Sequence, residues 1–264
     1  MTLLKVIILI ALIVSLNNCQ SDKLIIIAHR GGSKLAPENT LAAFKNAMTL
    51  GVDMIEIDVI LSKDKEVVVI HDDRIDRTTN GSGIVKEMNL SEIQKYSAGD
   101  WFDSKYKDEK IPTLNQVMNL INGKVKLLIE IKGGDEEYPG LENKVVEIIE
   151  KYNAYNWVIV QSFNEQTVLR VKKGNKKIIT FYLLGKNGVQ YLEELQKIDR
   201  IENKYDGLAP NYNLVNKTNL EMIKNHGLKC FVWTVNELDI MKEMIKLKVD
   251  GIITDSPNQL KELL

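Results

Sequence analysis

The sequence predicts a single α/β domain, a (β/α)8 TIM barrel carrying one small insertion. Three observations predict it. The 264 residues are close to the roughly 250 that such a barrel needs to close around one core. From Leu24 onward, short apolar runs rich in β-branched residues alternate with segments of helical period, the mark of repeated βα units and a parallel sheet. The composition, 44% hydrophobic and 27% charged, is that of a globular chain, with no low-complexity tract or regular repeat to suggest a fibre or solenoid.

Nine runs fit the strand pattern: 24–28, 54–60, 66–70, 126–131, 157–161, 178–184, 205–209, 229–234 and 251–254. A barrel takes eight, so one run is an accessory. The run 66–70 either pairs with 54–60 as the second arm of a hairpin or holds a barrel place of its own. Helical periodicity falls at 40–50, 113–121, 141–152, 165–172, 188–197, 217–225, 237–246 and 257–264. The stretch 72–110 breaks the alternation, being rich in Gly, Asp, Ser, Lys and aromatic residues, with a short helical pattern near 90–96 and a tight turn expected at Asn80-Gly81. Insertions of this kind lengthen loops, and the loops at the C-terminal ends of barrel strands surround the active site.

The 35 basic and 36 acidic residues leave a net charge of −1, so the chain lacks the basic excess that a nucleic-acid binder uses against phosphates. Neither nucleic acid nor a protein partner is expected. Residues 1–19 differ from the rest: Lys5 precedes the apolar run 6–16, followed by Asn17, Asn18 and Cys19, with no acidic residue anywhere. This is an export signal in outline. As a helix the run rises about 16 Å, roughly half a hydrocarbon core, which makes a permanent span the weaker reading; a short buried N-terminal helix is the plain alternative. Leu16-Asn17-Asn18-Cys19 resembles the bacterial lipobox, although Asn18 departs from the usual small residue before the cysteine. That resemblance implies a signal over 1–19, a mature barrel over 20–264, a lipid on Cys19, and attachment to the membrane of the cell envelope on its periplasmic or outer side. The second cysteine, Cys230, lies in an apolar run and reads as a buried small hydrophobe with no disulfide to Cys19.

Polar residues collect at the ends of the apolar runs, where a barrel keeps its chemistry. His29 and Arg30 close the first run, Glu56 and Asp58 interrupt the second, His71 closes the third, and Glu130 and Lys132 close the fourth; Gln161, Trp233 and Asp255 end later ones. Glu56 and Asp58 stand two apart, so in a strand both carboxylates leave one face while the intervening Ile residues leave the other. Carboxylates brought together inside a barrel repel one another and demand a cation. With Glu130 on a neighbouring strand they form an all-oxygen set, which suits Mg²⁺ or Ca²⁺ better than zinc. His29 and His71 suit general acid and base roles near neutral pH. His226 reads instead as the end of a helix, where its charge is favourable without any function.

Ala28-His29-Arg30-Gly31-Gly32, Pro37-Glu38-Asn39-Thr40, Glu56-Ile57-Asp58-Val59 and His71-Asp72 follow, in order, the pattern of the glycerophosphodiester phosphodiesterases. Arg77-Thr78-Thr79-Asn80-Gly81-Ser82-Gly83, Ile111-Pro112-Thr113-Leu114, Glu130-Ile131-Lys132 and Asp250-Gly251-Ile252-Ile253-Thr254-Asp255 continue it, so the resemblance spans Leu24 to the C-terminus. It implies a (β/α)8 barrel with a small insertion, here 72–110, after the second histidine. It also implies one divalent cation on Glu56, Asp58 and Glu130, and His29 and His71 as acid and base. Arg30 and Lys132 fall on positions that contact the substrate phosphate, Glu38 and Asn39 on supporting positions, and Trp233 on a wall of the pocket. Asp72-Asp73-Arg74 falls where the family varies.

The activity implied is hydrolysis of glycerophosphodiesters, such as glycerophosphocholine, to glycerol 3-phosphate and an alcohol. Related readings are a phosphatidylinositol phospholipase C or sphingomyelinase D type barrel, and a lipoprotein that binds glycerophosphodiesters without cleaving them. Glu38-Asn39-Thr40 and the 72–110 insertion favour the first reading over the related phosphodiesterases, and every histidine and acid of the pattern is present, against the non-catalytic one. The sequence carries neither a phosphate-binding Gly-x-x-x-x-Gly-Lys loop nor a Gly-x-Gly-x-x-Gly fingerprint.

Overall fold

The computed structural model describes residues 23–134, 136–185, 188–198 and 204–264. The expected export signal, with Cys19, lies outside the described residues. Among the described residues no helix is long and apolar enough to cross a membrane.

The strands are β1 (Ile25–Ala28), β2 (Met54–Leu61), β3 (Val67–Val69), β4 (Lys126–Ile131), β5 (Val158–Ser162), β6 (Ile179–Leu184), β7 (Gly207–Pro210), β8 (Lys229–Val232) and β9 (Gly251–Thr254). They follow the order β1-β9-β8-β7-β6-β5-β4-β2-β3, and a further pairing of β1 with β2 closes the ring. All neighbours run parallel except β3, which pairs antiparallel with β2, Val59 facing Val69 and Leu61 facing Val67. Eight strands thus form the barrel, and the run 66–70 is the outer arm of a hairpin. Its shortness decides the matter, because three residues reach only the C-terminal half of β2.

The helices α1 (Leu41–Leu50), α3 (Leu114–Ile121), α4 (Leu141–Lys151), α5 (Glu165–Gly174), α6 (Gly188–Leu195), α7 (Lys217–Asn225), α8 (Leu238–Leu247) and α9 (Pro257–Glu262) alternate with the strands, while α2 (Leu90–Ile93) belongs to the insertion. Local chemistry sets their ends. The Thr40 hydroxyl accepts from Ala43 N to start α1, and Gly51, at φ 74°, ends it in a left-handed conformation. Thr113 and Gln116 bond each other's backbone N–H at the start of α3, which buries Val117, Met118 and Ile121. The expected boundaries shift by a residue or two. In the insertion, the helical pattern stops at Ile93 rather than reaching 96. The chain there reverses across 76–82, through a turn at 76–78 and bends at 79–81 that include Asn80-Gly81, and closes with an antiparallel bridge from Arg74 to Ile84. Asn80 has a second use: its side-chain oxygen accepts from Ser97 N, stitching the loop together.

Alternation along the strands separates two cores. Ile55, Ile57 and Val59 point outward and pack in the layer that holds Phe44 and Val117 of the helices. Met54 and Leu128 point inward, filling the barrel with Ile27, Phe181, Phe231 and Ile253. Side chains two and four positions beyond Met54 share its face, so the apolar plug gives way to Glu56 and Asp58 toward the strand C-termini. Cys230 and His226 stand as expected: Cys230 is buried and unpaired, and its thiol is pushed up to about 12 by burial. His226 caps the end of α7.

Ile57 is fully buried between sheet and helices. Ile57→Ala is expected to lower the unfolding free energy by about 2–5 kcal/mol in urea titration. Exposed Ile179→Ala should cost far less, since its side chain leaves little cavity.

Candidate active site

The chain turns sharply where β1 ends. His29–Gly31 form one 3-10 turn in which Arg30 takes a left-handed conformation, φ 52°. Gly31 follows at φ 85°, and a Cβ there would stand 2.8 Å from the Cβ of Ala43, so only glycine fits. The turn aims Arg30 N at Glu56 Oε2, 2.9 Å away, and sends the guanidinium back over Asp58. Asn39, also left-handed at φ 57°, donates through Nδ2 to Asp58 Oδ2 at 2.9 Å. The two glycines and the Pro-Glu-Asn-Thr stretch therefore shape the loop that grips the acids of β2.

Glu56, Asp58 and Glu130 are all buried, and one oxygen from each lies within 4.8 Å of the others. Register explains the meeting, since parallel pairing sets Asp58 beside Glu130. Lys132 Nζ stands 2.6 Å from Glu130 Oε1 and 2.9 Å from Asp58 Oδ1. Arg30 Nε is 3.3 Å from Asp58 Oδ2. Burial opposes the charge on Asp58, but Lys132 and then Arg30 outweigh it and hold this carboxyl well below its ordinary range. Glu56 has no such cation: burial, and next the charge of Asp58, push it up to about 8. Glu130 is raised by burial against the pull of Lys132. Glu56 Oε1 is buried without a hydrogen-bond partner. An oxygen-only cluster with a net negative charge and an unpartnered buried oxygen fits a hard divalent cation. The three carboxylates would hold it.

The two histidines reach the same cleft from different strands. His29 Nδ1 lies 2.6 Å from Asp255 Oδ1, and His71 Nδ1 lies 2.6 Å from Asp72 Oδ1. An ionised carboxylate has no proton to give, so each Nδ1 donates and each Nε2 is left for the substrate. Burial works against protonating His29, yet the hydrogen bond to Asp255 and the charge of Glu56 overcome it and raise its pKa. His71 is lowered, by burial first and by Lys132 and Arg30 after it, against the pull of Asp58. Asp255 is fixed in turn by Ser33 Oγ at 2.6 Å and Asn236 Nδ2 at 2.7 Å.

Glu38 ties the halves together. It accepts from Arg30 Nη1 at 2.8 Å and from Arg77 Nη1 and Nη2, each at 2.8 Å. Arg77 also donates through Nε to Asp72 Oδ2 at 2.6 Å, and with His71 it draws Asp72 down to about 2 against the opposing effect of burial. One continuous network thus runs from Arg30 to His71, and the insertion supplies its middle member. The cleft is lined by His29, Arg30, Glu56, His71, Glu130 and Lys132 on its polar side. Gln161, Phe163, Leu183 and Trp233 form its less polar wall. Trp233 donates its indole N–H to Ala209 O at 2.7 Å and meets Phe163 edge-to-face at 5.2 Å.

Every expected site residue within the described region, His29, His71, Arg30, Lys132, Trp233, Glu56, Asp58, Glu130, Glu38 and Asn39, meets at this one mouth of the barrel. Lys132, expected on the substrate phosphate, is seen paired with the acids while its side chain lines the cleft. The expectations assigned no role to Asp255, Asp72, Arg77 or Phe163. Their signals were an acid directly after a strand-end histidine and an acid directly after the last strand; nothing in the spacing pairs Asp255 with His29.

With this geometry in hand, comparison with known proteins gives one answer. Residues 29–259 match the glycerophosphoryl diester phosphodiesterase family. A glycerophosphodiester phosphodiesterase of Caldanaerobacter subterraneus subsp. tengcongensis is 46% identical over 245 residues, covering 92% of this chain and 98% of its own. One from Bacillus subtilis is 31% identical over 92% of this chain and 87% of its own. Among solved structures, an Oleispira antarctica phosphodiesterase in complex with the product sn-glycerol-3-phosphate superposes with TM-score 0.78 at 28% identity, over 90% of this chain and 95% of its own. The chain belongs to the glycerophosphoryl diester phosphodiesterase family and is an enzyme of that class.

The Asp255–His29 pair yields a measurable sign. Asp255 raises the His29 pKa, so Asp255→Asn should lower it, moving the corresponding limb of the kcat/KM profile to lower pH. NMR titration of His29 checks the shift; an unmoved His29 would show that the pairing carries no electrostatic weight.

Proposed function

We propose that the enzyme hydrolyses soluble glycerophosphodiesters to glycerol 3-phosphate and an alcohol, using one divalent cation, Ca²⁺ or Mg²⁺, and two histidines. The observation that carries this reading is the convergence, in one cleft, of an oxygen-only acidic cluster and two histidines each oriented by its own aspartate. The Oleispira antarctica relative, bound to sn-glycerol-3-phosphate as product, supports the choice of substrate.

When bound, the cation supplies Lewis-acid stabilisation of charge on the phosphoryl oxygens. The protein's own groups do the rest. Arg30 and Lys132 neutralise the phosphodiester as it enters, which lowers the barrier to attack on an anion. One histidine, with Nε2 open to the cleft, removes the proton of the attacking hydroxyl or water. The other delivers a proton to the departing alkoxide, whose expulsion is otherwise slow. Asp255 and Asp72 keep both imidazoles in the tautomer these steps need, and each stabilises the imidazolium as it forms. Trp233 and Phe163 give the glycerol or head-group carbons an apolar wall. We further propose that the enzyme is exported and held at the envelope membrane by a lipid on Cys19, a reading supported by the lipobox-like 16–19 segment.

His29→Ala and His71→Ala are each expected to lower kcat on glycerophosphocholine by about 10²–10⁴, while His226→Ala stays near wild type. A p-nitrophenyl phosphodiester, whose leaving group needs no proton, should partly rescue whichever variant lacks the acid. Chelation should abolish turnover and leave the circular dichroism of the barrel unchanged. Wild-type turnover by both strand-end variants, or full activity after verified cation removal, contradicts the mechanism.

A further inference from the structure

We infer that the barrel rests on its anchoring membrane by the N-terminal ends of its strands, so that the catalytic cleft opens away from the bilayer. This rests on the lipid at Cys19 proposed above. Cys19 precedes Lys23, the first described residue, by four peptide steps, which extend to at most about 14 Å. Lys23 lies at the bottom of the barrel, lining a depression at the N-terminal strand ends with Ile179 and Phe231, whereas His29 lies at the opposite mouth. The intervening stretch rises about 20 Å as extended chain, or about 16 Å along the axis after barrel tilt. Pointing the cleft at the bilayer would lift Lys23 by that height plus the loops around the cleft. The tether is too short to allow it.

A barrel lying on its side is also within reach of the tether, and the surface chemistry of the bottom favours seating there. Ile159, Ile179, Phe181 and Phe231 form an apolar depression at the bottom, with Ile179 37% exposed and the two phenylalanine rings stacked at 4.4 Å. The three aspartates beside the depression are each paired with a lysine. Asp53 accepts from Ile26 N and pairs with Lys23, Asp250 accepts from Cys230 N and pairs with Lys229, and Asp206 accepts from Thr180 N and pairs with Lys172. Exposed Lys126 has no carboxylate partner among the described residues. Four lysines (Lys23, Lys126, Lys172 and Lys229) against three aspartates leave a net charge of +1 around the apolar depression, which fits the head-group layer of a bilayer containing anionic lipid.

The orientation agrees with the soluble substrates proposed above. Phosphates of the enzyme's own bilayer lie at the far end of the barrel from the cleft. An enzyme acting on intact membrane phospholipid needs the reverse arrangement.

The test uses full-length lipidated enzyme in vesicles of phosphatidylethanolamine and phosphatidylglycerol. A fluorophore is placed at Lys126→Cys or Glu136→Cys, at the two ends of the same strand and its loop; buried Cys230 stays unlabelled. Nitroxide head-group lipid should quench the Lys126 label several-fold more than the Glu136 label. Equal or reversed quenching overturns the orientation. Mass spectrometry of the N-terminus separates the two claims: an unmodified Cys19 overturns the anchor itself, whereas a lipidated Cys19 with reversed quenching overturns only the orientation. Quenching needs no turnover, so a failure to cleave glycerophosphocholine leaves this result standing and counts against the proposed activity alone. Cleavage of phosphatidylglycerol in the same vesicles would overturn the inferred substrate class.

Discussion

Three carboxylates buried together at the mouth of a barrel cannot remain ionised unaided, and the rest of the site is arranged around that constraint. Lys132 and Arg30 compensate Asp58, and Lys132 also reaches Glu130. Glu56 receives a backbone N–H and the more distant charge of His29, whose Nε2 is 4.0 Å from Oε2, which leaves it the least compensated member of the group. Replacing such a cluster with apolar side chains would leave the barrel more stable, because buried charge is retained at a cost in desolvation. Its persistence inside a core that is otherwise Ile, Leu, Met and Phe therefore points to chemistry rather than to folding.

The fold was legible because its signals are local. Alternating apolar runs and helical periods need only one sequence, and the two-residue spacing of Glu56 and Asp58 fixes their common face without knowledge of the partner strands. The hairpin arm β3 was ambiguous for the same reason: three valines read alike in a barrel strand and an antiparallel arm. Asn80-Gly81 lies within the reversal its composition suggests, but the bond from Ser97 N to the Asn80 side chain, seventeen positions away, was not legible. Long-range pairings were the least legible part of the site. Asp255 meets His29 across 226 positions, and only closure of β9 against β1 brings them together. Arg77 was visible within a motif, but its bridge between Glu38 and Asp72 depends on how the insertion folds back over the mouth.

The insertion is thereby more than a longer loop. It buries Ile75, Val85 and Ile93 against the main core, which holds Arg77 in place at the cleft. Through Glu38 and Asp72 that guanidinium ties the position of Arg30 to the position of His71, so displacement of either group is felt by the other. Apolar plug below, charged mouth above and a tether at the lower end give the barrel a polarity along its axis. Chemistry and attachment occupy opposite ends.

The mechanism depends most on the acidic cluster binding a cation, and calorimetric titration of the metal-free enzyme with Mg²⁺ or Ca²⁺ tests it without reference to turnover. Wild-type protein should bind one ion per chain, and Glu56→Gln, which removes the least compensated carboxylate while preserving its shape, should lose that binding and keep the fold. Equal binding by both proteins, or none by the wild type, would contradict it.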